Sequence, residues 1–150
     1  MHLTSERRVH SGNATQTGWP DDTRPYFRPA GMLLLLLVLS FISLVPGGPV
    51  ETRSFTDLGG TVFWGFNAFL ILLGICAITS AIGLLRDSKR AAIGAIIAGW
   101  GYIFVVLLDL GHVFPATPDP IPMLLGLIEI LDAILAAYVI ALCHRGLGNF

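Results

Sequence analysis

Apolar positions along this chain fall in four long blocks, unlike the short alternations of strands or the one-sided stripes of soluble helices. The blocks cover residues 32–45, 61–85, 91–114 and 123–143, and Pro-, Gly- or charge-rich links separate them. Crossing about 30 Å of hydrocarbon takes about 20 helical residues, so the last three are long enough and the first is short. That first block, five leucines followed by VLSFISLV, must borrow residues 26–31 to span or sit in thinned bilayer. The pattern predicts an all-α protein, a four-transmembrane-helix bundle with spans at about 30–46, 61–85, 91–114 and 122–143. Residues 31–145 would form the membrane domain. Residues 1–30, rich in Ser, Thr, Gly, Pro and Arg without an apolar period, read as a disordered cytoplasmic tail. A start at Met32 would recast the first block as a signal peptide. With Met1, some thirty residues precede it and no small-x-small cleavage site follows, which reads as a span.

Within the blocks, small residues recur at helical spacing. Asn67, Leu70, Gly74, Ala77 and Ala81 form one stripe, Ala91, Ala95 and Gly99 a second, and Gly126, Glu129, Ala133 and Ala136 a third. Small side chains let helix backbones approach closely, so these stripes are expected to face other helices.

Composition agrees with the blocks. The chain is 54% hydrophobic and 13% charged, with a mean hydropathy of +0.74, too oily for an ordinary soluble domain. The net charge of −1 gives no basic excess for nucleic acid. The lipid bilayer is therefore the expected partner, with self-association or a larger membrane complex as a second. Cys76 and Cys143 lie 67 residues apart without a CxxC pattern and read as small buried hydrophobes.

Charge placement sets an expected orientation. Alternate connecting regions carry eight Lys and Arg residues against one, Arg53. The positive-inside rule then puts both termini and the turn at residues 86–90 in the cytoplasm, and the compact chain suggests a prokaryotic plasma membrane.

Four ionisable residues interrupt the last two spans: Asp109 with His112, and Glu129 with Asp132. Each charge within a span costs at least about 2.5 kcal/mol on insertion scales, so these groups call for partners or a function. Spans three and four should run antiparallel through the Pro-rich link at 115–122, bringing Asp109, His112 and Glu129 to one level in the outer third of the bilayer. Asn67 shares that level, Asp132 lies one turn deeper, and Arg53 could reach the cluster from its loop. Three readings fit. The groups form a satisfied network that fixes helix packing, they handle protons or a small cation, or Asp109, His112 and Glu129 bind a metal such as iron, manganese or zinc. Against the second, the cytoplasmic half offers only Tyr102, Tyr138, Thr79, Ser80 and the cysteines as polar steps. Against the third stands a single histidine. No GxSxG, HExxH or phosphate-cradling glycine loop is present, so nothing calls for a catalytic residue or a cofactor.

The layout, a basic hairpin at residues 86–90 between spans two and three and a stiff Pro-rich loop between three and four, resembles small four-span bacterial membrane proteins of unassigned role. The broad DoxX-like group is among them. The likeness is one of layout and implies no residue role. The expected function is an accessory or structural membrane subunit, with a proton- or cation-coupled transporter as the alternative and a metal or redox site as the third.

Overall fold

The computed structural model describes residues 24–44, 60–114 and 122–148. The expectation of a disordered tail therefore falls outside the described residues, apart from its last turn. Four helices account for nearly all of the rest: α1 (Arg24–Leu44), α2 (Gly60–Leu85), α3 (Lys89–Leu110) and α4 (Met123–Gly148). No described residue is in a strand. All four helices are long and apolar enough to cross a membrane, which marks a small multi-pass membrane protein.

The short first block reaches spanning length by extending toward the N-terminus. The helix starts at Arg24 and takes in RPYFRP before the leucines. Pro25 sits in the first turn, where an N–H would lack an intrahelical partner in any case. Pro29 lies inside the helix and removes one intrahelical bond. At the other end, α4 continues past Cys143 to Gly148.

Each helix buries a stripe with steps of three and four residues, the spacing that keeps one face on its neighbours. In α1 the stripe is Phe27, Ala30, Leu34, Leu37, Val38, Phe41 and Leu44, and in α2 it is Leu70, Leu73, Ala77, Ser80, Ala81 and Leu84. Met32, Leu36, Ile71, Leu72, Ile97 and Leu131 point outward, as expected where the surroundings are hydrocarbon. The helices pack in a closed order, α1 on α2, α2 on α3, α3 on α4 and α4 back on α1.

Glycines set the approach at these contacts. A Cβ on Gly83 would lie 2.5 Å from that of Ala91, one on Gly94 would collide with the Ser80 hydroxyl, and one on Gly101 would lie 2.5 Å from Leu73 Cδ1. These three pairs fix a single antiparallel register between α2 and α3. Gly31 meets the Ala81 carbonyl between α1 and α2, Gly99 meets Ile140 between α3 and α4, and Gly146 meets the Phe27 ring between α4 and α1. Gly74 differs. A Cβ there would meet nothing within 4 Å, so the α2 stripe is open at its middle and not packed as its small residues suggest.

The turn between α2 and α3 holds only Arg86, Asp87 and Ser88. Ser88 N–H donates to the Gly83 carbonyl (2.9 Å) and Asp87 N–H to that of Leu84 (3.0 Å). This is a Schellman closure, with Asp87 at φ 56° in the left-handed position usually taken by glycine. Asp87 also faces Arg28 of α1 at 3.9 Å. The N-terminus of α1, this turn and the C-terminus of α4 thus share one end of the molecule. Every described Lys and Arg (Arg24, Arg28, Arg86, Lys89, Arg90, Arg145) lies at that end.

Candidate functional site

Asp109 occupies the last inward position of α3, on the stripe that runs through Ala95, Ala98, Tyr102 and Val105. It is buried at 8% exposure and engaged in polar or electrostatic contact. His112 does not continue that face. The helix ends at Leu110, and a second Schellman closure follows: Val113 N–H donates to the Leu108 carbonyl (2.9 Å) and His112 N–H to that of Asp109 (2.9 Å). His112 takes the left-handed position at φ 52° and is exposed. The expected one-turn spacing of Asp109 and His112 fails because the helix stops between them.

Glu129 and Asp132 are buried on the inward stripe of α4, at 5% and 2% exposure. Gly99 of α3 lies against Ala136 and Ile140 of α4, so antiparallel register puts residues 126–130 level with Asp109. That span includes Glu129, itself engaged in polar or electrostatic contact. Asp132, one turn deeper, accepts a hydrogen bond from the Ser40 hydroxyl of α1. It also lies near enough to Tyr102 of α3 to act on its hydroxyl electrostatically, as does Cys76 of α2. Tyr102 is 1% exposed and packs edge-on against Phe41, with ring centroids 4.8 Å apart. All four helices therefore send a polar side chain toward one central region: Ser40, Cys76, Tyr102 and Asp132. The Tyr102 hydroxyl and Asp132 Oδ2 are buried there without a hydrogen-bond partner among the described residues.

Ser40 lies outside the candidates that the sequence offers, and Tyr102 enters there only as a polar step of the cytoplasmic half. For Tyr102 the signal is its heptad step back from Asp109. For Ser40 there is none, because a continuous leucine run does not declare which side of α1 faces inward.

Asn67 donates its amide to the Phe63 carbonyl of its own helix at 2.9 Å and lines a cavity between α1 and α2. Arg53 lies outside the described residues. Among the described residues, no group of three or more His, Cys, Asp or Glu side chains could hold a metal ion. The proposed ligand set of Asp109, His112 and Glu129 is thus not assembled, since His112 leaves the helix.

A family profile described as Domain of unknown function (DUF8051) matches residues 28–149. The chain belongs to the DUF8051 family. The DUF8051 match takes in all four helices apart from the first turn of α1, and so includes Ser40, Tyr102, Asp109, Glu129 and Asp132. No curated protein and no solved structure matches the chain.

Proposed function

We propose that the protein is an accessory or structural subunit of a larger membrane assembly, a four-helix bundle whose buried carboxylates fix helix packing and carry no ions. The observation behind this reading is where the carboxylates stop. Between the Tyr102 level and the basic end, helices meet mainly through small residues, Gly94 on Ser80, Gly83 on Ala91, Gly31 on Ala81 and Gly146 on Phe27, and the buried Ser80 hydroxyl and the Cys76 thiol, which donates to the Gly94 carbonyl, are polar groups of that stretch that bear no carboxylate. Thr79, on the same stretch, returns its hydroxyl to the Ile75 and Cys76 carbonyls of its own helix. No Asp or Glu of the described spans lies between Asp132 and that end, so the carboxylates do not continue across the bundle. The basic end faces the cytoplasm of a prokaryotic plasma membrane, since Lys and Arg are retained on that side.

Reconstitution in vesicles with a pH-sensitive dye tests this. Proton flux should equal that of protein-free vesicles, and flux that disappears in Glu129→Gln would overturn the reading. Purification in mild detergent should in addition recover a stable, stoichiometric partner.

A second reading, proton or cation handling, draws on the buried Tyr102 hydroxyl and Asp132 Oδ2. Unpartnered polar atoms at a bundle centre suit a group that exchanges a proton with a passing solute. The same vesicles separate the two, because Asp132→Asn would abolish flux here and leave a packing role largely intact.

A further inference from the structure

Positive charge at the basic end exceeds what the described residues neutralise. Six Lys and Arg residues stand there with a single described acid, Asp87, and Asp87 faces Arg28 at 3.9 Å. Arg86 and Arg90 are exposed and join no salt bridge among the described residues. They flank the α2–α3 turn, Arg86 as the first residue past α2 and Arg90 as the second of α3, so both stand at the level where these spans leave hydrocarbon. Beneath each runs an exposed apolar stripe of its own helix. Ile82 and Ile75 precede Arg86 by four and eleven residues, and Ile93 and Ile97 follow Arg90 by three and seven, steps that keep each set on one helix face. Glycine lies on both sides of the seam between the stripes, Gly83 against Ala91 and Gly94 against Ser80.

We propose that the α2–α3 end binds an anionic phospholipid of the surrounding leaflet, its phosphate between Arg86 and Arg90 and its acyl chains along the two isoleucine stripes. Charge draws the headgroup, because basic clusters at the mouth of a span attract anionic lipid by about fivefold for each Lys or Arg near the surface. Side-chain chemistry favours phosphate. Five of the six cations are arginine, whose planar fork matches two phosphate oxygens at once, whereas orientation in the membrane needs only the charge that lysine supplies equally well. The stripes select a lipid over free phosphate. Ile75 lies ~16 Å below Arg86 along the helix, about half the thickness of the hydrocarbon core and so the depth of one leaflet's chains. The site needs no partner chain, and it is independent of the subunit reading and of which face of the membrane the basic end occupies.

Native mass spectrometry of the full-length protein released from detergent tests the site. Its probes are phosphatidylglycerol, phosphatidylcholine with the same chains, and glycerol 3-phosphate as a headgroup phosphate without chains. Phosphatidylglycerol should bind saturably and at least about tenfold more tightly than phosphatidylcholine, and glycerol 3-phosphate at equal concentration should not displace it. Arg86→Gln and Arg90→Gln should each weaken phosphatidylglycerol binding about fivefold, and the double variant about thirtyfold, with phosphatidylcholine binding unchanged. Arg145→Gln removes the same charge from the same end, but on α4, and should change binding by less than about twofold if contact and not the general field decides. All these side chains are exposed, so the variants should unfold thermally as the unaltered chain does, and lost binding then reports the site. Equal binding of the two lipids, or displacement by glycerol 3-phosphate, would overturn the proposal. A loss in Arg145→Gln as large as in Arg86→Gln would overturn it too, since it would mean a diffuse field over the whole end.

Discussion

The two ends of this molecule solve the same packing problem differently. At the basic end, glycines press helices together until a single added carbon would strike a neighbour, as at Gly31, Gly83, Gly94 and Gly146. Toward the other end the contacts loosen. Three carboxylates lie buried among the helices, and a cavity opens beside Tyr102. Hydrocarbon offers helices little hydrophobic reason to associate, so close backbone contact and interhelical hydrogen bonds must do so. One end uses the first device and the other uses the second.

The largest test contrasts two glycines. Gly31→Leu would force a side chain onto the Ala81 carbonyl and Leu84 Cβ, 3.1 and 3.2 Å from a Cβ, and neither can swing aside. Thermal unfolding in detergent should show a loss of about 3 kcal/mol, at the upper end of overpacking effects. Gly74→Leu should change stability by less than about 0.5 kcal/mol, because its side chain enters the cavity. Equal losses at both positions would erase the contrast.

The left-handed residues come next. His112→Ile places a β-branched side chain at φ 52° and should cost about 1–2 kcal/mol, while His112→Gly should be neutral or stabilising. If His112→Gly proves as damaging as His112→Ile, the imidazole has a polar partner and the turn is not its role.

A smaller effect probes the looser end. Ser40→Ala removes the hydroxyl that reaches Asp132 across α1 and α4, and hydrogen bonds between membrane helices contribute about 0.6 kcal/mol on average and up to about 1.7. A double-mutant cycle with Asp132→Ala, which removes the acceptor, should return a coupling in that range. Zero coupling would leave the half away from the basic end without the device assigned to it.

The smallest effect belongs to the ion pair at the basic end. Arg28 and Asp87 stand 3.9 Å apart with the Arg28 side chain 57% exposed. Arg28→Ala should shift stability by at most about 0.5 kcal/mol, fading further at high salt.

Much of this architecture is legible in the sequence because hydrocarbon imposes length and small residues mark contact. Three apolar blocks reach spanning length unaided, and the first recruits the turn that its shortness demands. The inward placement of Glu129 follows from its stripe with Ala136. Reading fails where the decision belongs to tertiary register or to a helix end. Residues 33–37 are all leucine, so no periodicity says that Leu34 and Leu37 turn inward and Leu36 outward, and Ser40 goes unnoticed with them. His112 looks like a helix partner of Asp109 until a non-glycine residue takes the left-handed closing position. Gly74 lies on a stripe of small residues, and only the paths of α1 and α3 reveal that nothing fills the space before it.

The three-residue turn at Arg86, Asp87 and Ser88 ties the fate of two spans together. So short a link leaves α2 and α3 no room to lie apart or to take independent orientations, and the pair forms one antiparallel hairpin. Arg86, Lys89 and Arg90 then place their charges at the ends of two spans at once. The Gly94–Ser80 and Gly101–Leu73 contacts can close as soon as this hairpin is in place, giving α1 and α4 a finished surface on which to dock.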